Sequence, residues 1–282
     1  MTAYFVYDVF SEKVFGGNQL AVIPDAAGLP EEDLQRIARE FNFSETTFVY
    51  PAWEPNHTAH VRIFTPTMEV PFAGHPLIGT AVALSDEGAG PDMVLELGIG
   101  PITCRAEGGA ARFTTSATLE ITAEPDPDLV AAALGTSPEN ISLENHAPAM
   151  ASLGLAFTIT ELKSREVLAN LLPDIGAFRK GNAVYPSGLD FAQFAYVRDG
   201  NVIHARMFAP LDNIPEDPAT GSACATLGAL LRRIEGRDQK LIIHQGDDMG
   251  RPSRIGLETQ GDAVTISGTA LRVMQGQLTY RT

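Results

Sequence analysis

Cysteine is scarce in this chain, and its scarcity excludes two kinds of architecture. Only Cys104 and Cys224 occur among the 282 residues. Two cysteines cannot build the disulfide framework of a small secreted domain, and they do not form the paired clusters that bind a structural metal ion. We therefore expect the fold to depend on neither disulfides nor metal.

Basic residues are also few. The chain has 20 Lys and Arg against 35 Asp and Glu, a formal net charge of −15. Nucleic-acid binding needs a basic surface, so this composition argues against it. No apolar run reaches the roughly 18 residues of a membrane-spanning helix, and residues 1–8 lack the basic and apolar regions of a signal peptide. We expect a soluble cytoplasmic protein that binds neither nucleic acid nor membrane.

An internal repeat is the most informative feature that is present. The strand-like pentad Arg62–Pro66 returns as Arg206–Pro210, an offset of 206 − 62 = 144 residues. Each copy is followed by a proline-containing loop, a glycine, a polar residue and a run of small residues. The two glycines, Gly74 and Gly221, are 221 − 74 = 147 residues apart. A repeat on this scale predicts two similar domains.

Each copy of the repeat also predicts a helix that begins just after the glycine. The residue before a proline is disfavoured in the α region, so we expect His75 to be extended and Pro76 to be the first helical residue. Ser222 takes the place of His75 in the second copy and is a favoured N-cap. Exposed N–H groups at two helix starts make a site for a carboxylate or a phosphate, and the two helices could face one shared cleft.

The rest of the chain is rich in strands. Residues 34–41 carry apolar side chains at helical spacing and predict an amphipathic helix that ends at Asn42. Most other segments are short and separated by Gly or Pro, which is typical of strands. This pattern indicates an α+β fold instead of a doubly wound parallel sheet. Glu124–Asp128 is the best linker candidate and places the domains at residues 1–123 and 124–282.

Glu45 is the first candidate for chemistry. It lies at a helix-to-strand junction among Phe43, Thr46, Thr47 and Phe48, with no basic residue near it in sequence. Desolvation raises the pKa of a partly buried carboxylate that has no cationic neighbour, and this suits a general base. The alternative is a carboxylate that bonds local backbone N–H groups or is exposed at the junction.

Three further candidates belong to the repeated motif. His75 lies beside Gly74 at the expected anion site, although a histidine at a helix start is often a cap or a packed side chain. Asp217 precedes a proline, where aspartate commonly serves a turn. Ser222 is expected to cap its helix first, and its hydroxyl could also bond a ligand.

Familiar cofactor and metal motifs are missing from the sequence. Gly74–Thr80 lacks the lysine of a phosphate-binding P-loop, and no Gly-x-Gly-x-x-Gly follows a strand. His57 and His60 are three residues apart near a strand, so they would not converge on one metal ion. The sequence therefore predicts no metal site and no cofactor.

Four separated motifs resemble the PhzF-like family of phenazine biosynthesis proteins. They are Asn42–Phe48, Pro71–Pro76, Asp217–Ala223 and Gln245–Pro252, and the likeness extends to Val6–Phe10 and Gly17–Val22. The resemblance implies the diaminopimelate epimerase fold, in which two pseudo-symmetric α+β domains each wrap a barrel-like sheet around a central helix. It also implies an active site in the cleft between the domains. The internal repeat agrees with this expectation.

The resemblance further implies a reaction and its residues. The activity characterised in that family is the isomerisation of trans-2,3-dihydro-3-hydroxyanthranilate, which moves a proton between ring carbons without a cofactor. By resemblance, Glu45 is the proton-shuttling carboxylate, and His75 and Asp217 complete the catalytic set. The expected substrate-binding residues are Ser44, Gly74, Gly221 and Ser222. Diaminopimelate epimerases use two cysteines instead, and the positions of Cys104 and Cys224 do not support such a pair.

We therefore expect a cofactor-independent isomerase or epimerase that acts on a small anionic substrate, a carboxylate, and we expect the chain to form a homodimer. The alternative is a small-molecule-binding protein that retains the fold and the cleft without turnover. The set of Glu45, His75 and Asp217 favours the enzyme, because a mere binder has less need of a buried carboxylate.

Overall fold

The computed structural model describes residues 2–279, which form two compact units. The first unit comprises the chain up to Thr115 and again from Thr265 onward, and the second is Ser116–Val264. The boundary expected from the sequence, between residues 123 and 124, lies eight residues after Thr115. The expected boundary also places the C-terminal strand in the second domain, whereas most of this strand belongs to the first unit. The composition of a linker does not show which strands a later segment pairs with.

The first unit contains two helices and a set of short strands. In chain order its elements are β1 (Thr2–Val9), β2 (Asn18–Ile23), α1 (Glu31–Phe41), β3 (Glu45–Tyr50), β4 (Ala59–Phe64), β5 (Glu69–Val70), α2 (Gly74–Asp86), β6 (Asp92–Leu97), β7 (Gly100–Glu107) and β8 (Ala110–Thr115). The C-terminal strand, Ala263–Leu278, begins at the end of the second unit and continues through the first.

Eight of these strands close into a barrel. Starting from the C-terminal strand, the order is β1, β2, β3, β4, β6, β7 and β8, and β8 pairs with the C-terminal strand again. Helix α2 packs against five of the barrel strands, and residues 74–83 of this helix are all buried. A Cβ atom on Gly79 would lie 2.5 Å from a methyl carbon of Leu20, so the helix fits this closely only with glycine there. The expected barrel around a central helix is confirmed.

The second unit repeats this plan. Its elements are β9 (Glu120–Ala123), α3 (Pro127–Leu134), β10 (Ala149–Ser152), β11 (Ala156–Glu161), α4 (Arg165–Ala169), α5 (Ile175–Val184), β12 (Gln193–Asp199), β13 (Val202–Ala209), β14 (Ile214–Asp217), α6 (Gly221–Glu235), β15 (Lys240–Gln245) and β16 (Ser253–Gln260).

The pairing of strands is the same in both units. In the first, β2–β3 and β4–β6 are parallel and flank the antiparallel pair β3–β4. In the second, β11–β12 and β13–β15 are parallel and flank the antiparallel pair β12–β13. Helix α6 packs against β10, β11 and β16, as α2 does against its own barrel. The two sequence motifs therefore begin equivalent helices in equivalent sheets.

Within residues 2–279, no helix is both long and apolar enough to cross a membrane.

Candidate active site

The first motif helix begins earlier than the sequence predicts. Helix α2 starts at Gly74, after the extended residue Ala73, so His75 is the second helical residue and Pro76 the third. The prediction of an extended His75 is wrong. N–H groups in the first turn of a helix have no acceptor within the helix. The missing N–H group of Pro76 therefore costs no hydrogen bond, and the proline is compatible with the helix here. The N–H groups of Gly74 and His75 lie at the positive end of the helix dipole.

His75 and Glu45 meet at this helix start. Glu45 is the first residue of β3, and its Oε2 atom lies 3.3 Å from Nδ1 of His75. The side chain of His75 is 4% exposed and that of Glu45 is 15% exposed. Nδ2 of Asn18, the first residue of β2, lies 3.3 Å from the same His75 nitrogen. Three elements of the first barrel thus bring a carboxylate, an imidazole and an amide together.

Burial decides the charge of His75. Removal from water lowers the pKa of His75 to about 3, and only the backbone carbonyl of Gln19 opposes this shift. The imidazole is therefore neutral near pH 7, and its 3.3 Å approach to Glu45 is a contact with a neutral ring instead of an ion pair. The other ring nitrogen, Nε2, is buried and has no hydrogen-bond partner among residues 2–279.

The second motif helix also begins two residues early. Helix α6 starts at Gly221 with Thr220 as its N-cap, so the prediction that Ser222 caps the helix is wrong. Thr220 is fixed instead by its neighbours: its hydroxyl donates to Oδ2 of Asp217 at 2.6 Å, and its N–H donates to Oε1 of Gln245 at 3.1 Å. The amide of Gln245 donates to the Asp217 carbonyl at 2.8 Å. These bonds leave Ser222 as the second helical residue, the position that His75 has in the first unit.

The motif Gln245–Pro252 positions the loop around Asp217. Gly246 has φ +78°, and a Cβ atom there would lie 2.3 Å from the carbonyl oxygen of Arg251 and 2.7 Å from that of Pro218. The Ser253 hydroxyl lies 2.8 Å from the Pro218 carbonyl oxygen. Only glycine permits this close approach of two backbone segments.

The two units differ in the acids that they contribute. Thr46 pairs with Phe64, and Gln193 pairs with Phe208, which is the repeat equivalent of Phe64. Thr46 and Gln193 are thus equivalent, and so are the residues that precede them. Ala192 occupies the position that Glu45 has in the first unit. Only the first unit has a carboxylate at this place, so the repeat is symmetric in fold and asymmetric in chemistry.

At the position of Asp217 the second unit has an acid and the first unit does not. Asp217 pairs with Met207 on β13, as Val70 pairs with Ile63 on β4. The first unit thus has an apolar residue where the second has its buried acid, and Asp217 is 5% exposed.

The structure assigns the predicted site residues to two groups. The first group is Gly74 and His75 at the start of α2, Glu45 at the start of β3 and Ser44 just before it; the second is Asp217, Gly221 and Ser222, at or just before the start of α6. Sequence reasoning missed three residues that hold these groups: Asn18, Thr220 and Gln245. All three lie in motifs that carry the family resemblance, and each is a polar residue at the end of a strand or helix, which was the available signal.

The cysteines do not form a thiol pair suited to proton transfer. Both are free and buried, and burial raises the pKa of the Cys104 thiol to about 12. The pKa of Cys224 is raised by burial and, to a smaller extent, by the charge of Asp217. Between residues 2 and 279, no three His, Cys, Asp or Glu side chains lie together in a way that could hold a metal ion.

Comparison with known proteins identifies the family. Residues 7–276 match the model of the phenazine biosynthesis-like protein family. An uncharacterized isomerase of Mesorhizobium japonicum is 39% identical, with 98% of each chain covered. The trans-2,3-dihydro-3-hydroxyanthranilate isomerase of Pseudomonas aeruginosa is 33% identical, with 98% of this chain and 99% of that protein covered.

The fold agrees with these sequence relatives. The crystal structure of a phenazine biosynthesis protein of the PhzF family from Bacillus anthracis matches with a TM-score of 0.87 over 99% of each chain, at 24% identity. The chain therefore belongs to the phenazine biosynthesis-like protein family, and it is an isomerase.

Proposed function

We propose that this isomerase moves a proton between two carbons of a small carboxylate substrate without a cofactor, and that Glu45 takes up and returns the proton. One observation carries the proposal: a partly buried carboxylate lies 3.3 Å from a neutral imidazole at the start of a central helix. A carboxylate beside a neutral partner keeps its basicity, whereas a cationic partner would lower it.

His75 is proposed to position Glu45 without exchanging a proton with it. The amide nitrogen of Asn18 lies 3.3 Å from Nδ1 of His75, so Nδ1 is the acceptor and the neutral ring carries its hydrogen on Nε2. Oε2 of Glu45 lies 3.3 Å from the same nitrogen. Burial lowers the pKa of His75 to about 3, so the ring does not compete with Glu45 for the substrate proton.

The asymmetry between the units favours isomerisation over epimerisation. An epimerase that inverts a carbon needs two bases, one for each face of the substrate, and a repeated fold could supply the second base at the position equivalent to Glu45. Here the counterpart of Glu45 is Ala192, which cannot exchange a proton. A single carboxylate can remove a proton from one carbon and deliver it to another carbon on the same face, which is an isomerisation.

Backbone N–H groups at the start of a motif helix are proposed to bind the substrate carboxylate, and each of the two units has one such helix. In α6 the first bond within the helix is from Cys224 N–H to the Thr220 carbonyl, so the N–H groups of Gly221 and Ser222 precede it. A chain with a net charge of −15 repels anions at long range. Exposed charges beyond about 8 Å are largely screened at physiological ionic strength, so the local N–H groups and helix dipoles decide binding.

Asp217 is proposed to support the substrate in place of acting as the base. Its carboxylate accepts the Thr220 hydroxyl at 2.6 Å, and its backbone is fixed by Gln245. An acid held in this way is positioned for binding, and substitution of Asp217 is expected to cost less activity than substitution of Glu45.

The proposed proton transfer and the identity of the substrate are tested by a screen for exchange of carbon-bound hydrogen with solvent. Small carboxylates, including trans-2,3-dihydro-3-hydroxyanthranilate, are incubated with the protein in deuterium oxide, and deuterium at carbon is measured by mass spectrometry. The proposal predicts protein-dependent incorporation or isomerisation for at least one cyclic or unsaturated acid. Tight binding of an acid with no exchange and no isomerisation would instead support a binding protein. The expectations of a homodimer and of a cytoplasmic location remain predictions, which light scattering and cell fractionation test.

A further inference from the structure

A row of basic side chains crosses the second unit on the more exposed face of its sheet. His204 on β13 lies directly opposite His244 on β15, and His244 lies directly opposite Arg254 on β16. The two imidazole rings are stacked with centroids 5.5 Å apart and planes 23° apart. The neighbours Ile203 and Ala205 are buried in the other face of the sheet, so the row faces outward from the barrel.

The first unit shows what the fold places at the same position. His60 is the repeat equivalent of His204, since 204 − 60 = 144. Opposite His60 on the neighbouring parallel strand is Glu96, whereas opposite His204 is His244. The first unit therefore supplies an anion, and the second unit has a potential cation in its place. The second unit therefore lacks the acid that the first unit places at this register.

Two buried polar atoms in this row lack partners. Nδ1 of His204 and Nη1 of Arg165 are both buried, and neither has a hydrogen-bond partner in the described part of the chain. Arg165, the first residue of α4, uses its other terminal nitrogen to bind Asp248 at 2.8 Å. A buried donor without a partner is costly, and a bound acceptor would satisfy it.

The charges around His204 come from several elements. Burial, His244 and Arg165 lower the pKa of His204, and Asp247 and Asp199 raise it to a smaller extent. Arg206, on the same strand as His204, is already neutralised by Glu216, with which it forms two bonds of 2.8 Å. The surroundings of His204 therefore oppose its protonation, and an anion that bound there would reverse this.

We propose that the row formed by His204, His244 and Arg254, together with Arg165, binds a small tetrahedral oxyanion of the sulfate or phosphate type. The anion supplies a negative charge at the register where the first unit has Glu96 opposite His60. It accepts hydrogen bonds from the ring nitrogens and from the free guanidinium nitrogen of Arg165. This site is separate from the residues proposed for proton transfer, and it does not depend on that proposal.

Binding at this site is linked to protonation. The anion favours the charged form of the His204 imidazole, whose pKa is lowered in the free protein, so binding near pH 7 draws in a proton. The affinity then rises as the pH falls, by up to about tenfold for each pH unit and each proton taken up. Sulfate is the suitable probe, because its own charge is constant between pH 5 and pH 8.

The test is a titration of the whole protein with sodium sulfate, followed by the NMR resonances of its histidine rings. Sodium chloride at equal ionic strength is the control. We expect saturable shifts of the His204 and His244 resonances, with a dissociation constant at pH 5.5 at least tenfold lower than at pH 7.5. The ring of His75 is read separately in the same spectra, so sulfate bound at the start of α2 is not mistaken for this site.

Variants decide the assignment. His244→Glu restores the pairing of the first unit and should weaken sulfate binding at least tenfold, whereas His60→Asn should leave it unchanged. If His244→Glu fails to fold, Arg254→Gln, an exposed substitution, is expected to weaken binding at least threefold. Absence of saturable shifts at His204 and His244, or a His244→Glu protein that binds sulfate as well as the parent, would overturn the proposal.

Discussion

Replacement of His75 by asparagine tests the charge state on which the proposed chemistry depends. An unfolded histidine has a pKa of about 6.5, and burial in the folded protein lowers the pKa of His75 to about 3. Between these two values the unfolded chain binds one proton more than the folded protein. Stability therefore falls as the pH is lowered through 6.5, and the loss continues until the folded imidazole itself becomes protonated near pH 3.

The size of this effect follows from the same linkage. At pH 5.0 the unfolded histidine is about 1.5 units below its pKa, so His75 lowers the free energy of unfolding by about 2 kcal/mol relative to pH 7.5. The figure depends little on the folded pKa of His75, because the buried ring is neutral at pH 5.0 for any folded value below about 4.

Urea unfolding followed by circular dichroism at pH 7.5 and pH 5.0 measures the effect. The parent, His75→Asn and Thr80→Val are compared. Thr80 lies in the same helix and donates a buried hydrogen bond of 3.0 Å to Thr47, so its variant is destabilised without losing a titrating group. We expect the loss between the two pH values to be about 2 kcal/mol smaller for His75→Asn, and unchanged for Thr80→Val.

The same comparison in a Glu45→Gln background removes the titration of the neighbouring carboxylate. If His75→Asn lost as much stability as the parent in both backgrounds, His75 would be charged in the folded protein. The picture of Glu45 beside a neutral imidazole would then be wrong.

Three further predictions test the loops and the ligand. Gly246→Ala should destabilise the protein by about 3 kcal/mol or more in the same urea assay, because the added carbon meets two carbonyl oxygens. Gly250→Ala is the control: Gly250 has the same φ of +78° and no atom within 4 Å of an added Cβ atom, so the cost should be only about 1 kcal/mol. Asp217→Ala should lower the rate of deuterium exchange less than Glu45→Gln does, and the reverse ranking would assign the base to the second unit. Calorimetry should show that a carboxylate ligand binds more tightly than its amide and weakens little with added salt, whereas equal binding would contradict the anion site.

Elements governed by local sequence could be predicted. Helix α1 ends at Asn42, which has φ +53°, as its apolar spacing indicates. Helix α6 ends at Gly236 in the left-handed conformation, which glycine adopts without strain. The position of Glu45 at the beginning of a strand also follows from the residues beside it. In each case the deciding interactions lie within a few residues.

Elements that depend on distant partners could not be predicted in the same way. Asn18 and His75 are 57 residues apart and meet only because β2 and α2 pack together. Helix α5 likewise depends on a distant contact, because a Cβ atom at Gly181 would lie 2.2 Å from the Phe191 ring. The C-terminal strand of 16 residues was not expected from the local pattern of short strands, since its first part and its last part belong to different units.

The most direct test of the proposed mechanism is deuterium incorporation at carbon by Glu45→Gln, measured with the first acid that the solvent-exchange screen identifies. Glu32→Gln, an exposed change in α1, is the matched control. Glutamine preserves the shape of Glu45 and cannot accept a proton, so we predict an intact fold, unchanged ligand affinity and exchange slowed by about 10² or more. Exchange by Glu45→Gln at the parent's rate would contradict the assignment of Glu45 as the proton carrier.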